Sequence, residues 1–314
     1  MSTAGAPPMD RFAGNAASPF HLTPEQVAFF DENGYLVLRD RIPKDMLRRL
    51  TEAAERWIAS GDRPSRDGED YHFADRPSGR VLFRVDYLHS KGEAASLELL
   101  GSPEVLGIAE TLAGPNFVPT YESLVFKNEG DGAPIPWHQD AVHPRTHRIF
   151  NIDVYLDASR ASEGALRVVP GSQYRKADVC ALTSQHGWDI PGTVTVEMEP
   201  GDVLIHDVML VHGSEPVQGN QLRRTLYYEF RAAEQILGQG PWDEAWVDAR
   251  LRLLPLALQQ YRATHPDQAG FAWNIEPSLR PQALGDRETE LRLVHEVHTP
   301  GSYCSAGDVP EQPR

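Results

Sequence analysis

The stretch PIPWHQDAVHPRTHRIFNIDVYL, residues 134 to 156, carries His138, Asp140, His143 and His147 just ahead of a run with strand character. Imidazole and carboxylate are nitrogen and oxygen donors for divalent metals. His138 and Asp140 stand two apart, so on an extended chain both side chains leave one face and reach a common point, while Gln139 points away. Two ligands do not make a site. Downstream, His186, His206 and His212 are the candidates for a third. His212 lies in VHGSEP at the end of a β-rich run, with Gly213 behind it to permit a sharp turn. His206, among Leu204, Ile205 and Val208, reads as a core histidine or one that supports a ligand. Two imidazoles with one carboxylate match the facial triad of non-haem Fe(II) sites, which leaves positions open for substrate and oxygen. His143 and His147, in a polar loop broken by Pro144, read as solvated.

Open metal positions need something to occupy them. In LRRTLYYEF, Arg223 and Thr225 share one face of a strand, and Arg224, Leu226 and Tyr228 share the other. Arginine binds carboxylates through two parallel hydrogen bonds, and a neighbouring hydroxyl can add a third, so a carboxylate-bearing co-substrate is implied. Lys127, in YESLVFKNEG, is a second candidate for neutralising a carboxylate, and Tyr121 shares its strand parity. In FNIDVYLD, Phe150, Ile152, Val154 and Leu156 form one face and Asn151, Asp153 and Tyr155 the other. If the apolar face packs on helices, the polar one looks inward, which makes Asp153 a cofactor-binding candidate and Asn151, Tyr155 and Tyr121 pocket candidates.

These residues need a scaffold. From about 117 to 231 the chain alternates short β-rich runs with Gly, Pro, Asn and Asp, the pattern of an antiparallel sandwich or jelly roll. Before it, Thr23 and Pro24 open a helix that ends near Gly34; a strand YLVLRD, a second helix to about Ser60 and a third over 102 to 114 follow. Residues 61 to 80, rich in Gly, Pro and charge, read as a long exposed loop. After Pro241, Trp242, Trp246, Leu251, Leu253 and Leu254 have helical spacing, suited to packing on the barrel or on a second subunit. The expected organisation is a loose tail (1–20), a catalytic domain (21–240) with a helical entry segment (21–116) and a jelly-roll core (117–231), and a C-terminal helical extension and tail (241–314).

PWHQDA at 136–141, EGALRVVPGS at 163–172, PGDVLIHDVMLVHGS at 200–214 and Arg223 beyond them together resemble the phytanoyl-CoA dioxygenase family of Fe(II)- and 2-oxoglutarate-dependent oxygenases. The resemblance implies a mainly β fold with flanking helices, the cupin-like double-stranded β-helix. It implies His138, Asp140 and His212 as iron ligands and Arg223 as the partner of the distal carboxylate of 2-oxoglutarate. The cofactors are then Fe(II), 2-oxoglutarate and O2, and the keto acid leaves as succinate and CO2 while a C–H bond of a small metabolite is hydroxylated. Superfamily members that halogenate replace the ligand carboxylate with a small residue, so an intact Asp140 disfavours halogenation. His206 departs from the family, which more often has an apolar or aromatic residue there. Desaturation, epoxidation and rearrangement start from the same chemistry, and nothing in the chain specifies an acyl-CoA.

Composition narrows the rest. At 314 residues, 40% of them hydrophobic, the chain can bury a sizeable core. A net charge of −15 repels nucleic acid and anionic membranes. No apolar run reaches the roughly 18 residues of a membrane span. The opening residues lack the apolar core of a secretory signal, so a cytoplasmic protein, monomer or homodimer, acting on a small molecule is expected. The two cysteines, Cys180 and Cys304, are too few for a thiolate metal cage. An oxygen-independent hydrolase or isomerase on the same barrel, and a non-catalytic binding barrel, are the competing readings.

Overall fold

Alternating polar and apolar residues suit a sheet with one face packed on helices and the other turned to water or to a polar interior. The computed structural model has this arrangement. It describes residues 19–63, 68, 70–76, 79–127, 134–142, 145–216, 222–281, 291–294 and, for the backbone, 302–303. His143 and most of both expected tails lie outside these residues.

The larger sheet has seven antiparallel strands: β1 (Tyr35–Leu38), β2 (Tyr71–Arg76), β3 (Gly79–Asp86), β4 (Phe117–Lys127), β6 (Ile149–Tyr155), β9 (Val203–Asp207) and β11 (Arg223–Ala232). Their spatial order is β1-β9-β6-β11-β4-β3-β2. The smaller sheet has β5 (Ile135–Gln139), β7 (Leu166–Val169), β8 (Val194–Val196), β10 (Val211–Ser214) and β12 (Ser302–Tyr303), ordered β12-β5-β10-β7-β8. Two antiparallel sheets with flanking helices make this the mainly β jelly roll that the strand pattern leads one to expect.

The helices α1 (Pro24–Asn33), α2 (Lys44–Gly61), α3 (Ala94–Leu100) and α4 (Pro103–Ala113) cover the outer face of the larger sheet. In α1, Thr23 and Gln26 cap each other's backbone N–H groups, and Gly34 ends the helix in the left-handed region at φ 77°. In α2 the buried residues Met46, Leu50, Ala53, Ala54 and Trp57 follow helical spacing. They meet Phe150, Ile152 and Val154 of β6 and Leu226, Tyr228 and Phe230 of β11 in one apolar core. The polar alternates of β6 and β11 therefore face inward, as their alternation predicts.

Two expectations are corrected. Residues 61–80 are not a long exposed loop: Tyr71 and Phe73 are buried on the main core, and β2 pairs with β3, Tyr71 opposite Val85 and Phe73 opposite Leu82. His72 between those aromatics, with Asp70, Asp75 and Arg76 around them, masks a period-two pattern. Gly213 does not turn the chain; it lies inside β10, where a Cβ would meet Ile135 O at 3.0 Å and Trp137 N at 3.1 Å. Its bare backbone lets β5 approach closely. The stretch 200–214 is two strands, since the turn after Asp207 carries the chain from the larger sheet to the smaller.

After α6 (Ala233–Gln239), the helical segment past Pro241 forms α7 (Glu244–Leu251) and α8 (Leu253–Thr264), with Pro255 in the first turn of α8, where a missing N–H costs little. Arg250 of α7, fully buried, donates from Nε to Pro119 O (2.6 Å) and from Nη2 to Glu122 Oε2 (2.7 Å) on β4. Arg250→Ala would leave the Glu122 carboxylate buried and unpaired, and is expected to cost about 3–5 kcal/mol. Urea unfolding checks this; an unchanged midpoint would contradict it.

Candidate metal and keto-acid site

β5 and β10 are antiparallel neighbours with His138 directly opposite His212, and the two rings lie with centroids 4.1 Å apart. Asp140 follows the end of β5 and swings its carboxylate between them, with Oδ1 3.3 Å from His138 Nε2 and 3.6 Å from His212 Nε2. One donor atom from each of the three residues lies within 4.8 Å of the others. Among the described residues this is the group that could hold a metal.

Which nitrogen each imidazole presents is set by the backbone. His138 Nδ1–H donates to Pro136 O (2.8 Å) and His212 Nδ1–H to Leu210 O (2.9 Å), each two residues back. Both Nε2 lone pairs are thereby left aimed at the Asp140 side. Burial, reinforced by the neighbouring His138, pushes His212 down to about 3, so this ring is neutral and able to ligate at physiological pH. Burial alone would raise the Asp140 carboxyl, but His212, His138 and His206 around it hold it well below the usual carboxylate range. Two imidazoles and one carboxylate fit Fe(II) in number and chemistry.

Gln139, the residue between the ligand candidates, is fully buried on the opposite face, donating to Arg175 O (3.0 Å) and accepting from Ala177 N (2.9 Å). It ties β5 to the segment ahead of α5 (Val179–His186). His186 ends that helix, and His147 is exposed; neither belongs to the cluster.

His206 of β9 is buried against the site without being one of the three. Its Nε2 lies 3.1 Å from Asp140 Oδ2 and its Nδ1 2.9 Å from Asp153 Oδ2. Burial opposes its charge, yet Asp153 and Asp140 on either side lift it to about 10. Burial also raises Asp153. The direction that stands is that this buried pair keeps a proton at neutral pH. Asn151 donates from Nδ2 to the same Asp140 Oδ2 (2.9 Å). Asn151 and Asp153, expected at the pocket and cofactor, are thus turned toward Asp140 and His206.

Further along the barrel, Arg223 and Lys127 face each other directly across β11 and β4. Like charges in that position repel. Both reach the Ser214 hydroxyl, Lys127 Nζ at 2.9 Å and Arg223 Nη2 at 3.5 Å, and Lys127 also donates to Glu215 O (3.2 Å). Arg223 Nη1 donates to Gly164 O and to Ser159 Oγ (3.3 Å). Among the described residues Arg223 forms no ion pair, so the pocket keeps positive charge that an anionic ligand can neutralise. Arg224, on the other face, pairs with Asp157 at 2.8 Å, as alternation requires.

Thr225 is buried on the Arg223 face, opposite Val125 and Tyr155. Tyr155 packs with Leu166, Val168, Val196, Met198, Leu204 and Leu210, an apolar cluster that closes this end of the barrel, and burial raises its hydroxyl pKa. Tyr121 donates to Asp86 Oδ1 (2.6 Å) on the same inner face, across from Glu229. The sequence reading passed over Ser214 and Tyr227. Ser214 shares parity with His212, and Tyr227 with Arg223 and Thr225, so the period-two rule contained the signal for both. Burial, with Asp153 and Tyr155 nearby, pushes the Tyr227 hydroxyl well above its ordinary pKa, leaving it a proton donor.

A family model described as phytanoyl-CoA dioxygenase (PhyH) matches residues 30–225. A probable alpha-ketoglutarate-dependent hypophosphite dioxygenase of Stutzerimonas stutzeri is 25% identical over 257 residues, covering 75% of this chain and 89% of that protein. Among solved structures, AviO1 from Streptomyces viridochromogenes Tue57 aligns with TM-score 0.58 and 29% identity over 67% of this chain and 95% of its own. EvdMO1 aligns with TM-score 0.59 and 32% identity over 67% of this chain, which spans only half (50%) of EvdMO1.

Proposed function

From the premise that the chain belongs to the phytanoyl-CoA dioxygenase family and is an Fe(II)- and 2-oxoglutarate-dependent dioxygenase, we propose that His138, Asp140 and His212 hold the iron and that the enzyme hydroxylates a small organic metabolite. The observation that carries the ligand assignment is the convergence of three donors whose two imidazoles are each tied back by Nδ1 to a carbonyl. Family membership leaves the oxygen-independent and non-catalytic readings without support.

Iron held by these residues would supply the oxidising chemistry together with 2-oxoglutarate and O2, with succinate and CO2 as the products of the keto acid. The chain's own residues position and exclude. Arg223 and Lys127, with the Ser214 hydroxyl between them, receive the distal carboxylate of the keto acid, and Thr225 lies beside them on the same face. A bidentate guanidinium orients that carboxylate as well as neutralising it. The apolar cluster around Tyr155 keeps water from that end of the barrel, which strengthens the ion pair. Tyr121 of β4 and Tyr227 of β11 share this inner face. Among the described residues no helix is long and apolar enough to cross a membrane.

The test is an anaerobic titration of metal-free protein with Fe(II) and then 2-oxoglutarate. A visible charge-transfer band is expected when the keto acid chelates the iron. Bound iron without that band would remove the keto-acid pocket from the proposal. Substrate identity then follows from a metabolite screen scored by succinate.

A further inference from the structure

Asp140 presents its two oxygens to different surroundings. Oδ1 faces His138 Nε2 and His212 Nε2 at 3.3 and 3.6 Å. Oδ2 lies within hydrogen-bond distance of Asn151 Nδ2 (2.9 Å) and His206 Nε2 (3.1 Å). His206 has a carboxylate on each ring nitrogen, since Asp153 Oδ2 is 2.9 Å from Nδ1. As the free oxygen of a ligand carboxylate, Asp140 Oδ2 can only accept, so the contact from His206 Nε2 is a donated hydrogen bond. Asn151 Nδ2 and His206 Nε2 are themselves 3.1 Å apart, two donors sharing one acceptor. Turning the Asn151 amide over would set its oxygen against the Asp140 carboxylate. Both contacts come from the larger sheet, β6 and β9, across from the β5 segment that carries Asp140.

We propose that Asn151 and His206, the latter held by Asp153, act as positioning residues that occupy Asp140 Oδ2 and restrict this carboxylate to one-oxygen ligation of the metal. This rests on the assignment of His138, Asp140 and His212 as ligands and adds a reason for the departure at His206. The consequence concerns coordination number. Two imidazoles and one carboxylate oxygen leave three of six positions open. A keto acid chelating through two atoms takes two of them, and oxygen needs the third. A carboxylate that closed onto the metal through both oxygens would fill that third position. Two hydrogen bonds on Oδ2 hold it back, and residues on the rigid inner face of the sheet do so without any movement of their own.

The test uses the metal alone, without keto acid or oxygen, so that it does not depend on the keto-acid pocket. The 314-residue chain, grown with aspartate labelled at the side-chain carboxyl carbon, is titrated with Mn(II), and infrared difference spectra are recorded against the metal-free form. One-oxygen ligation gives a wide separation between the antisymmetric and symmetric carboxylate stretches, and two-oxygen ligation a narrow one. The wild type and His206→Gln, which keeps a donor, are expected to show the wide separation. His206→Phe combined with Asn151→Ala is expected to show the narrow one. Asn151→Ala alone leaves the His206–Asp153 pair in place and keeps the test available if the double variant does not fold. Its Mn(II) affinity is expected to change by about 10-fold or more, the scale seen for outer partners of metal ligands. A wide separation in the folded double variant, or an unchanged affinity and spectrum in Asn151→Ala, would overturn the positioning role while leaving the ligand assignment intact. A wild type that binds no Mn(II), or whose Asp140 bands do not respond, would overturn both.

Discussion

Asp140→Ala protein is expected to lose Fe(II) affinity by more than about 100-fold, the upper range for loss of an outer partner of a ligand, and to form no succinate from 2-oxoglutarate. Two features of the site set the size of this effect. The carboxylate is the one anionic donor of the three, and surrounding histidines hold its pKa well below the usual range, so it meets the metal already ionised. Its removal also takes the shared acceptor away from the donors of Asn151 and His206. Iron binding by calorimetry under nitrogen, with far-UV dichroism to establish folding, reads the result. A folded Asp140→Ala protein that bound Fe(II) as tightly as the wild type would refute the ligand assignment. His212→Ala should behave similarly in iron binding, because it removes one of the two nitrogen donors.

Arg223→Ala is expected to raise the KM for 2-oxoglutarate by about 100-fold, corresponding to the ~3 kcal/mol of a charge-assisted hydrogen bond to a carboxylate, with a much smaller change in kcat. The split between KM and kcat follows from position. Arg223 reaches Ser214, Ser159 and Gly164, at the end of the barrel occupied by the Tyr155 cluster, so it holds the keto acid by the end that does not react. Iron binding should be unaffected, which separates this variant from Asp140→Ala. Lysine at the same position would keep the charge but lose the planar fork, recovering part of the affinity only. Lys127, directly opposite on β4, would carry the residual binding in Arg223→Ala protein. An unchanged KM with normal turnover would exclude Arg223 as the anchor.

The organisation of the barrel was legible wherever one strand face had a uniform task. The alternation in β6 separates Phe150, Ile152 and Val154, packed on the helices, from Asn151, Asp153 and Tyr155 inside. It likewise distinguishes Arg223 from Arg224. It failed over residues 71–86, where inward-facing His72, Arg84 and Asp86 bond one another and so resemble the charged residues of a loop. Burial of charge is affordable there because each group has a partner, and partners from separate strands are invisible to a local pattern.

What the sequence determined by itself is the chemistry available and the face each side chain takes: nitrogen and oxygen donors at a spacing of two, an arginine and a hydroxyl at the same spacing, and an apolar stripe to bury each opposite face. These follow from the fixed geometry of an extended backbone. The tertiary structure alone decided which distant groups meet. Residue spacing does not choose among His186, His206 and His212 as the third donor; the register that sets His212 opposite His138, allowed by the bare backbone of Gly213, does so. That same folding puts His206 behind Asp140, because β9 pairs with β6 and β6 with β11. Register between strands far apart in the chain is a property of packed sheets and loop closure, and a single strand carries no trace of it.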